Sequence, residues 1–306
     1  MGLFSEGSKR LRPNKPSSLF DLALELPVDK SNHFAVHPKQ GNGVKTMANA
    51  KTAVITGSTS GIGAAVAEAL AGAGLSVCLN GFGDPDAIKA QTAKLESQYG
   101  VKAIFHGADM TKPDEISDLI NTAEKDLGSV DVLVNNAGIQ HVAPVDEFPL
   151  DKWDAIIAIN MSSNFHTIRA ALPGMKSRGY GRIINICSAH GLVASPYKAA
   201  YVTAKHGVMG LTKTVALEVA EQGITANSIC PGYVLTPLVE KQIPDTAAAR
   251  GITEDEVVKD ILLKAQPTKR FVTVEEVGGT AVFLTKPEAA SITGTHITLD
   301  GGWTAQ

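Results

Sequence analysis

"TAVITGSTSGIG", Thr52 to Gly63, sets an apolar run, a glycine-rich turn and the start of an Ala-rich helical pattern in direct succession. The run reads as a strand and the residues after Gly61 as a helix. Gly57, Gly61 and Gly63 let the backbone turn sharply and let a ligand approach it closely. The helix start they lead into offers unpaired N–H groups and a partial positive charge, which suit a diphosphate. The spacing is TGxxxGxG rather than GxGxxG. Gly57, Thr59, Ser60, Gly61, Ile62 and Gly63 are therefore candidate cofactor-binding residues.

Outward from this turn the same unit repeats. "SVCLN", "KAIFH", "DVLVNN", "RIINIC", "ITANSIC" and "HITLD" alternate with helix-length segments at 61–73, 85–98, 113–127, 150–177 and 200–221. Short apolar runs separated by helices predict strands buried on both faces of a parallel sheet. Right-handed crossovers then give an α/β, doubly wound, Rossmann-type parallel sheet with helices on both faces, as a single domain over 51–306. Ligands of such sheets bind beyond the carboxyl ends of the strands.

Residues 1–50 differ from the rest. Pro13, Pro16, Pro27, Pro38 and scattered charges predict a mostly flexible extension. Only "SSLFDLALEL", with Ser18 as N-cap, has helical spacing. Met47 is a candidate start, because the first strand follows it almost at once. The chain has 306 residues, 44% apolar and 19% charged, with a net charge of −3, enough for a full core. No basic stripe predicts a nucleic-acid partner, and no long apolar run predicts a membrane span. Cys78, Cys187 and Cys230 lie apart in apolar segments, as reduced core thiols do. They fit a reducing compartment, so the expected location is cytoplasmic.

The loops after the strands carry the candidate chemistry. "LNGFGD" places Gly81 and Phe82 where an acid often holds ribose hydroxyls, and Asp84 comes late. The loop has no Lys or Arg for a 2′-phosphate, and a buried phosphate dianion without a partner is costly, so NAD is expected rather than NADP. Phe82 either packs beside the adenosine or simply packs the loop. Asp109 and Met110, after the third strand, come next, with Asp109 a candidate acceptor for the adenine amino group. Asn136, Ala137 and Gly138 of "NNAG" follow the fourth strand, behind the cofactor ribose.

Ser188 follows the fifth strand, and Tyr201 and Lys205 are four apart on one face of the next helix. A Tyr has a pKa near 10. A neighbouring ammonium and a cationic nicotinamide both lower it, toward use as a base. Ser188 can then hold a substrate oxygen while Tyr201 takes its proton.

TGxxxGxG, NNAG, Asn160 in "IAINMSS", Ser188, YxxxK and "CPG" occur in the order of the short-chain dehydrogenase/reductase family, which residues 50–306 resemble. The resemblance implies hydride transfer between a substrate carbon and nicotinamide. It implies Tyr201 as acid/base, Lys205 lowering its pKa and holding the ribose, Ser188 orienting the oxygen, and Asn160 anchoring a water relay to Lys205. Pro231, Gly232 and Val234 join Tyr201 and Lys205 as cofactor contacts.

Within that family, "NGFGD", "NNAGIQHVAPV", "INICSAHGLVASPYKAAY", "ICPGYVLTPLVEKQI" and "DGGWTAQ" resemble the bacterial-type 3-hydroxybutyrate dehydrogenases. That branch interconverts (R)-3-hydroxybutyrate and acetoacetate with NAD, as a homotetramer. The resemblance implies that Gln140, His190, Lys198 and Gln242 bind the substrate carboxylate. An enclosed carboxylate needs opposite charge and hydrogen bonds, which these side chains supply. Residues 235–266 are expected to form a helical flap, with Pro231 and Gly232 breaking the sixth strand. Tyr233 is either an aromatic wall or ordinary packing. The alternatives are action on another alcohol or ketone, such as a sugar or a 3-oxoacyl thioester, or a non-catalytic cofactor sensor.

Overall fold

The computed structural model describes residues 51–305. The expected extension over 1–50, its helix after Ser18 and Met47 lie outside the described residues.

From Thr52 the chain alternates strand and helix. It runs β1 (Thr52–Ile55), α1 (Gly61–Gly72), β2 (Ser76–Asn80), α2 (Pro85–Tyr99), β3 (Ala103–His106), α3 (Pro113–Leu127) and β4 (Val132–Asn135). The second half runs α4 (Leu150–Ile157), α5 (Ser163–Arg178), β5 (Gly181–Ile186), α6 (Ala199–Glu218), β6 (Ile224–Pro231), α7 (Pro237–Arg250), α8 (Glu254–Glu256), α9 (Val274–Thr285) and β7 (His296–Leu299). The seven strands form one sheet in the order β3-β2-β1-β4-β5-β6-β7, and every pairing is parallel. The strand order reverses between β1 and β4, where the glycine turn and the NNAG loop leave side by side. That switch point is where this kind of sheet opens a crevice for ligands.

Alternate strand residues feed two cores. Ala53 and Ile55 face one side, with Val66 and Leu70 of α1 and Val277 and Leu284 of α9. Val54 faces the other, with Leu119 of α3, Ile168 of α5 and Val215 of α6. Each fully buried aliphatic side chain contributes about 1.5–3 kcal/mol. Gly278 lets α9 cross α1 closely, since a Cβ there would sit 3.0 Å from Cβ of Ala69.

The inner strands β1, β2, β4, β5 and β6 are buried throughout, as expected. The edge strands differ: three of the four residues of β3 are half-buried, and His296 and Thr298 of β7 are exposed. An edge strand has a neighbour on one side only, so full burial does not extend to it.

Three other expectations need correction. The single helix over 150–177 is two helices joined by a π-helical turn, Ala158–Ser162. The helix over 200–221 ends at Glu218, followed by a 3₁₀ turn, Ala220–Gln222, that Gly223 closes at φ 70°. Pro231 does not break β6. It pairs with Leu299, and the Gly232 N–H still donates to Leu299 O at 2.9 Å. The chain leaves the sheet one residue later. Helix α9 was not read from the sequence, although Thr273 and Glu276 form a capping box at its start.

Among the described residues no helix is long and apolar enough to cross a membrane.

Candidate active site

The NNAG loop fastens the glycine turn. Thr56 Oγ1 accepts from the N–H groups of Asn136 and Ala137, both at 3.0 Å. The Asn136 side-chain amide donates to Thr56 O at 2.9 Å and Gly57 O at 2.8 Å. A Cβ on Gly63 would strike Gly57 O and the Asn136 amide, and one on Gly57, at φ 62°, would lie 2.8 Å from Ala137 Cα. At Gly61, where φ is 54°, a Cβ would meet only the Thr236 methyl, at 3.8 Å. Ser60 is the N-cap of α1, but its hydroxyl caps no helix N–H, and the first turn holds no acid. The helix N-terminus therefore keeps donors and positive potential for an anion, and the residues present fit a dinucleotide diphosphate.

The loop after β2 closes against this turn. Thr59 Oγ1 donates to Phe82 O at 2.9 Å, and a side chain on Gly81 would collide with that hydroxyl. Asn80, which the sequence reading passed over, ties three strand ends together. Its amide donates to His106 O and Ala108 O, and its oxygen accepts from Gly57 N. The Asp84 carboxylate accepts from Ala87 N at 2.8 Å and caps α2. Phe82 is 71% exposed and borders a cavity of about 530 Å³ with Ile88, Lys89 and Phe105. The Asp109 carboxylate accepts from the Thr111 N–H and hydroxyl, and these bonds hold its pKa below the usual value. Met110 is buried beside it.

Ser188, Tyr201 and Lys205 come together where β5 ends and α6 begins. Ser188 Oγ accepts from the His190 N–H at 3.1 Å, which leaves the hydroxyl hydrogen to donate elsewhere. Lys205 is buried and donates from Nζ to Ile186 O at 2.8 Å. Its Nζ lies 5.6 Å from the centre of the Tyr201 ring. An ammonium has three donors, so this bond leaves two for other partners.

A series of side chains links Tyr201 to Lys198. The His190 ring meets Tyr201 edge-on, with centroids 6.0 Å apart, and meets Trp303 edge-on at 5.0 Å. Trp303 stacks on Tyr233 at 5.9 Å with 3° between the planes. Lys198 Nζ sits 5.6 Å from the centre of the Tyr233 ring. Tyr233 is thus part of an aromatic wall. The residue before Lys198, Tyr197, is held at φ 67°, a strained conformation for a bulky side chain. Its carbonyl accepts from Ala143 N at 3.0 Å, which ties the loop after β4 to the start of α6.

Burial first, then the positive charges of Lys198 and His206, lowers the pKa of His190 to about 4. Its ring is therefore neutral at pH 7. On unfolding, the ordinary value near 6.5 returns. The unfolded chain then binds the proton first as pH falls, so this contribution to stability is complete above about 6.5 and lost toward about 4. Urea midpoints measured from pH 7 to pH 4.5 should fall for the wild type and fall less for His190→Gln.

The match to the family model described as short chain dehydrogenase spans residues 51–247. The chain belongs to the short-chain dehydrogenase family. It is 62% identical to D-beta-hydroxybutyrate dehydrogenase of Rhizobium meliloti, over 84% of this chain and 99% of that one. It is 54% identical to the enzyme of the same name from Cupriavidus necator, over 85% of this chain and all of that one. Among solved structures it resembles L-sorbose reductase from Gluconobacter frateurii, complexed with NADPH and L-sorbose. The TM-score there is 0.80 at 30% identity, covering 84% of this chain and 98% of that one. As a short-chain dehydrogenase the chain is an oxidoreductase that binds a nicotinamide cofactor.

Of the residues singled out in this short-chain dehydrogenase, the structure joins Ser188, His190, Lys198, Tyr201 and Lys205. Asn160 is fully buried in the π-helical turn, and both ends of its side chain are engaged. It accepts from Ile139 N and donates to Ile139 O, each at 2.9 Å. Its side chain thus fixes the backbone just before Gln140, which is exposed. Gln242 lies on α7, and its side chain is outside the described residues. Pro231 is the last residue of β6, and Gly232 and Val234 lie just beyond it, on either side of Tyr233. Gln266 was not foreseen. It is buried, accepts from Tyr233 N, and donates to Arg270 O at 2.8 Å. It fills the space a Cβ on Gly232 would need. With the Val234–Val272 bridge, it pins both ends of the segment over 235–266.

Proposed function

We propose that this short-chain dehydrogenase interconverts (R)-3-hydroxybutyrate and acetoacetate with NAD, gripping the substrate by its carboxylate. The observation that carries the reading is the ring series from Tyr201 through His190, Trp303 and Tyr233 to Lys198. It connects a cation and an imidazole to the acid/base Tyr201 through neighbouring rings, which supports a shared substrate site. An uncharged alcohol or a thioester has no need of that cation. The names of the two relatives support the same substrate.

In the oxidative direction, Ser188 donates its free hydroxyl hydrogen to the substrate oxygen. Tyr201 takes the proton from that oxygen, and the Lys205 ammonium favours the tyrosinate that does so. When bound, the nicotinamide supplies the hydride acceptor. Lys198 pairs with the carboxylate, while His190, Gln140 and Gln242 donate hydrogen bonds to it. The tethered segment over 235–266 closes above the substrate and shields the reaction from water. Asn160 acts by holding Ile139, and through it the loop that carries Gln140.

Gly57, Thr59, Ser60, Gly61, Ile62 and Gly63 hold the diphosphate. Asp109 and Met110 flank the adenine, and Asn136, Ala137 and Gly138 lie behind the ribose. Phe82 covers the adenosine end. The loop Gly81–Asp84 has no cation to pair with a 2′-phosphate, which supports NAD over NADP. Exposed Leu150, Phe165 and Leu217 on α4, α5 and α6 support burial between subunits, as in a homotetramer. Three buried free thiols support a cytoplasmic location.

Reduction of NAD and of NADP, each with (R)-3-hydroxybutyrate and with its mirror image, tests the reading. The expected result is NADH formation from the R acid at a rate well above the other three pairings. Faster NADPH formation would overturn the cofactor choice, and faster turnover of the S acid would overturn the substrate orientation.

A further inference from the structure

Ser195 has no part in the function above, yet its hydroxyl lies 2.8 Å from Nε2 of His190. It belongs to the loop between the 3₁₀ turn Ala189–Gly191 and α6. The imidazole is buried, with the rings of Trp303 and Tyr201 meeting it edge-on. Among the described residues, Ser195 supplies the only side-chain hydrogen bond to that ring.

A neutral imidazole has one N–H and one bare nitrogen, and the partner of one nitrogen decides what the other can do. His190 can donate to a carboxylate only if its proton is on the nitrogen facing that group. Packing against Trp303 and Tyr201 limits the tilt of the ring but does not choose its tautomer. A hydroxyl at Nε2 accepts from a protonated nitrogen or donates to a bare one, so it suits either tautomer but holds the ring in one rotation.

We propose that Ser195 is a positioning residue for the acid substrate: its hydroxyl holds Nε2 of His190 and fixes the rotation in which the imidazole serves the substrate carboxylate. The inference rests on the carboxylate reading and names a specificity residue one step behind it. Without the hydroxyl, His190 divides its time between arrangements, of which only some can donate.

Ser195→Ala tests this. A hydrogen bond between neutral groups is worth about 1 kcal/mol, which corresponds to about a fivefold change. KM for (R)-3-hydroxybutyrate should therefore rise about fivefold. The kcat, the KM for NAD and the turnover of the methyl ester should stay within about twofold. Ser195→Thr, which returns the hydroxyl, should restore KM for the acid. An unchanged KM in Ser195→Ala, a rise shared equally by the ester, or no recovery in Ser195→Thr overturns the proposal. Lys198→Ala, run in parallel, separates the two layers. If it raises KM for the acid while Ser195→Ala does not, only the Ser195 proposal fails. If neither variant changes KM for the acid, the carboxylate reading and this proposal fail together.

Discussion

Tyr201→Phe is expected to lower kcat by about 10²–10⁴-fold with every substrate tested, the range over which a positioned acid or base acts. The variant removes one oxygen and little else. The ring remains to meet His190 edge-on and to lie beside Lys205. Lys205 keeps its bond to Ile186 O, so the ribose side of the site stays in place. NAD binding, followed by quenching of protein fluorescence, should change little. The loss must be the same for the acid, its ester and a simple alcohol, because the proton leaves the same kind of oxygen in each. Substantial residual turnover would remove Tyr201 from the acid/base role.

Lys198→Ala should have the opposite pattern, a loss confined to acids. A charged hydrogen bond is worth about 1.5–3 kcal/mol, so kcat/KM for (R)-3-hydroxybutyrate should fall about ten- to a hundredfold. Turnover of the methyl ester should be nearly unchanged. The variant also alters His190. The Lys198 charge is the second cause, after burial, of that residue's lowered pKa. Without it the imidazole gains a proton more readily as pH falls. The lost cation is then partly replaced, so the deficit in kcat/KM should narrow between pH 7 and pH 5. Kinetics at both pH values check this, and a deficit that widens instead would count against cooperation between Lys198 and His190.

The parts of this molecule that depend on local pattern were legible. Five strands are buried on both faces and read as plain apolar runs, and the glycine turn sits between β1 and α1 where its spacing put it. Ser188, Tyr201 and Lys205 could be paired because four residues of helix bring the last two onto one face. The π-helical turn at Asn160 was hidden, since its residues keep a helical pattern and Asn160's partner, Ile139, lies in a separate loop. The aromatic wall was hidden for a related reason. His190, Tyr201, Tyr233 and Trp303 come from four separate segments, and only the packed fold brings their rings together. Gln266 could not be found by composition, because a buried amide shows its purpose only through the backbone groups it satisfies. Helix α9 was within reach, since the Thr273–Glu276 box is a sequence signal.

The central claim is that this short-chain dehydrogenase selects its substrate by charge. The most direct measurement is the ratio of kcat/KM for (R)-3-hydroxybutyrate to that for its methyl ester, taken on the wild-type protein with NAD. The two molecules share the reacting carbon and hydroxyl and differ in the carboxylate alone. A ratio of about ten or more, collapsing toward one in Lys198→Ala, is the predicted result. Equal values for acid and ester in the wild type would contradict the account.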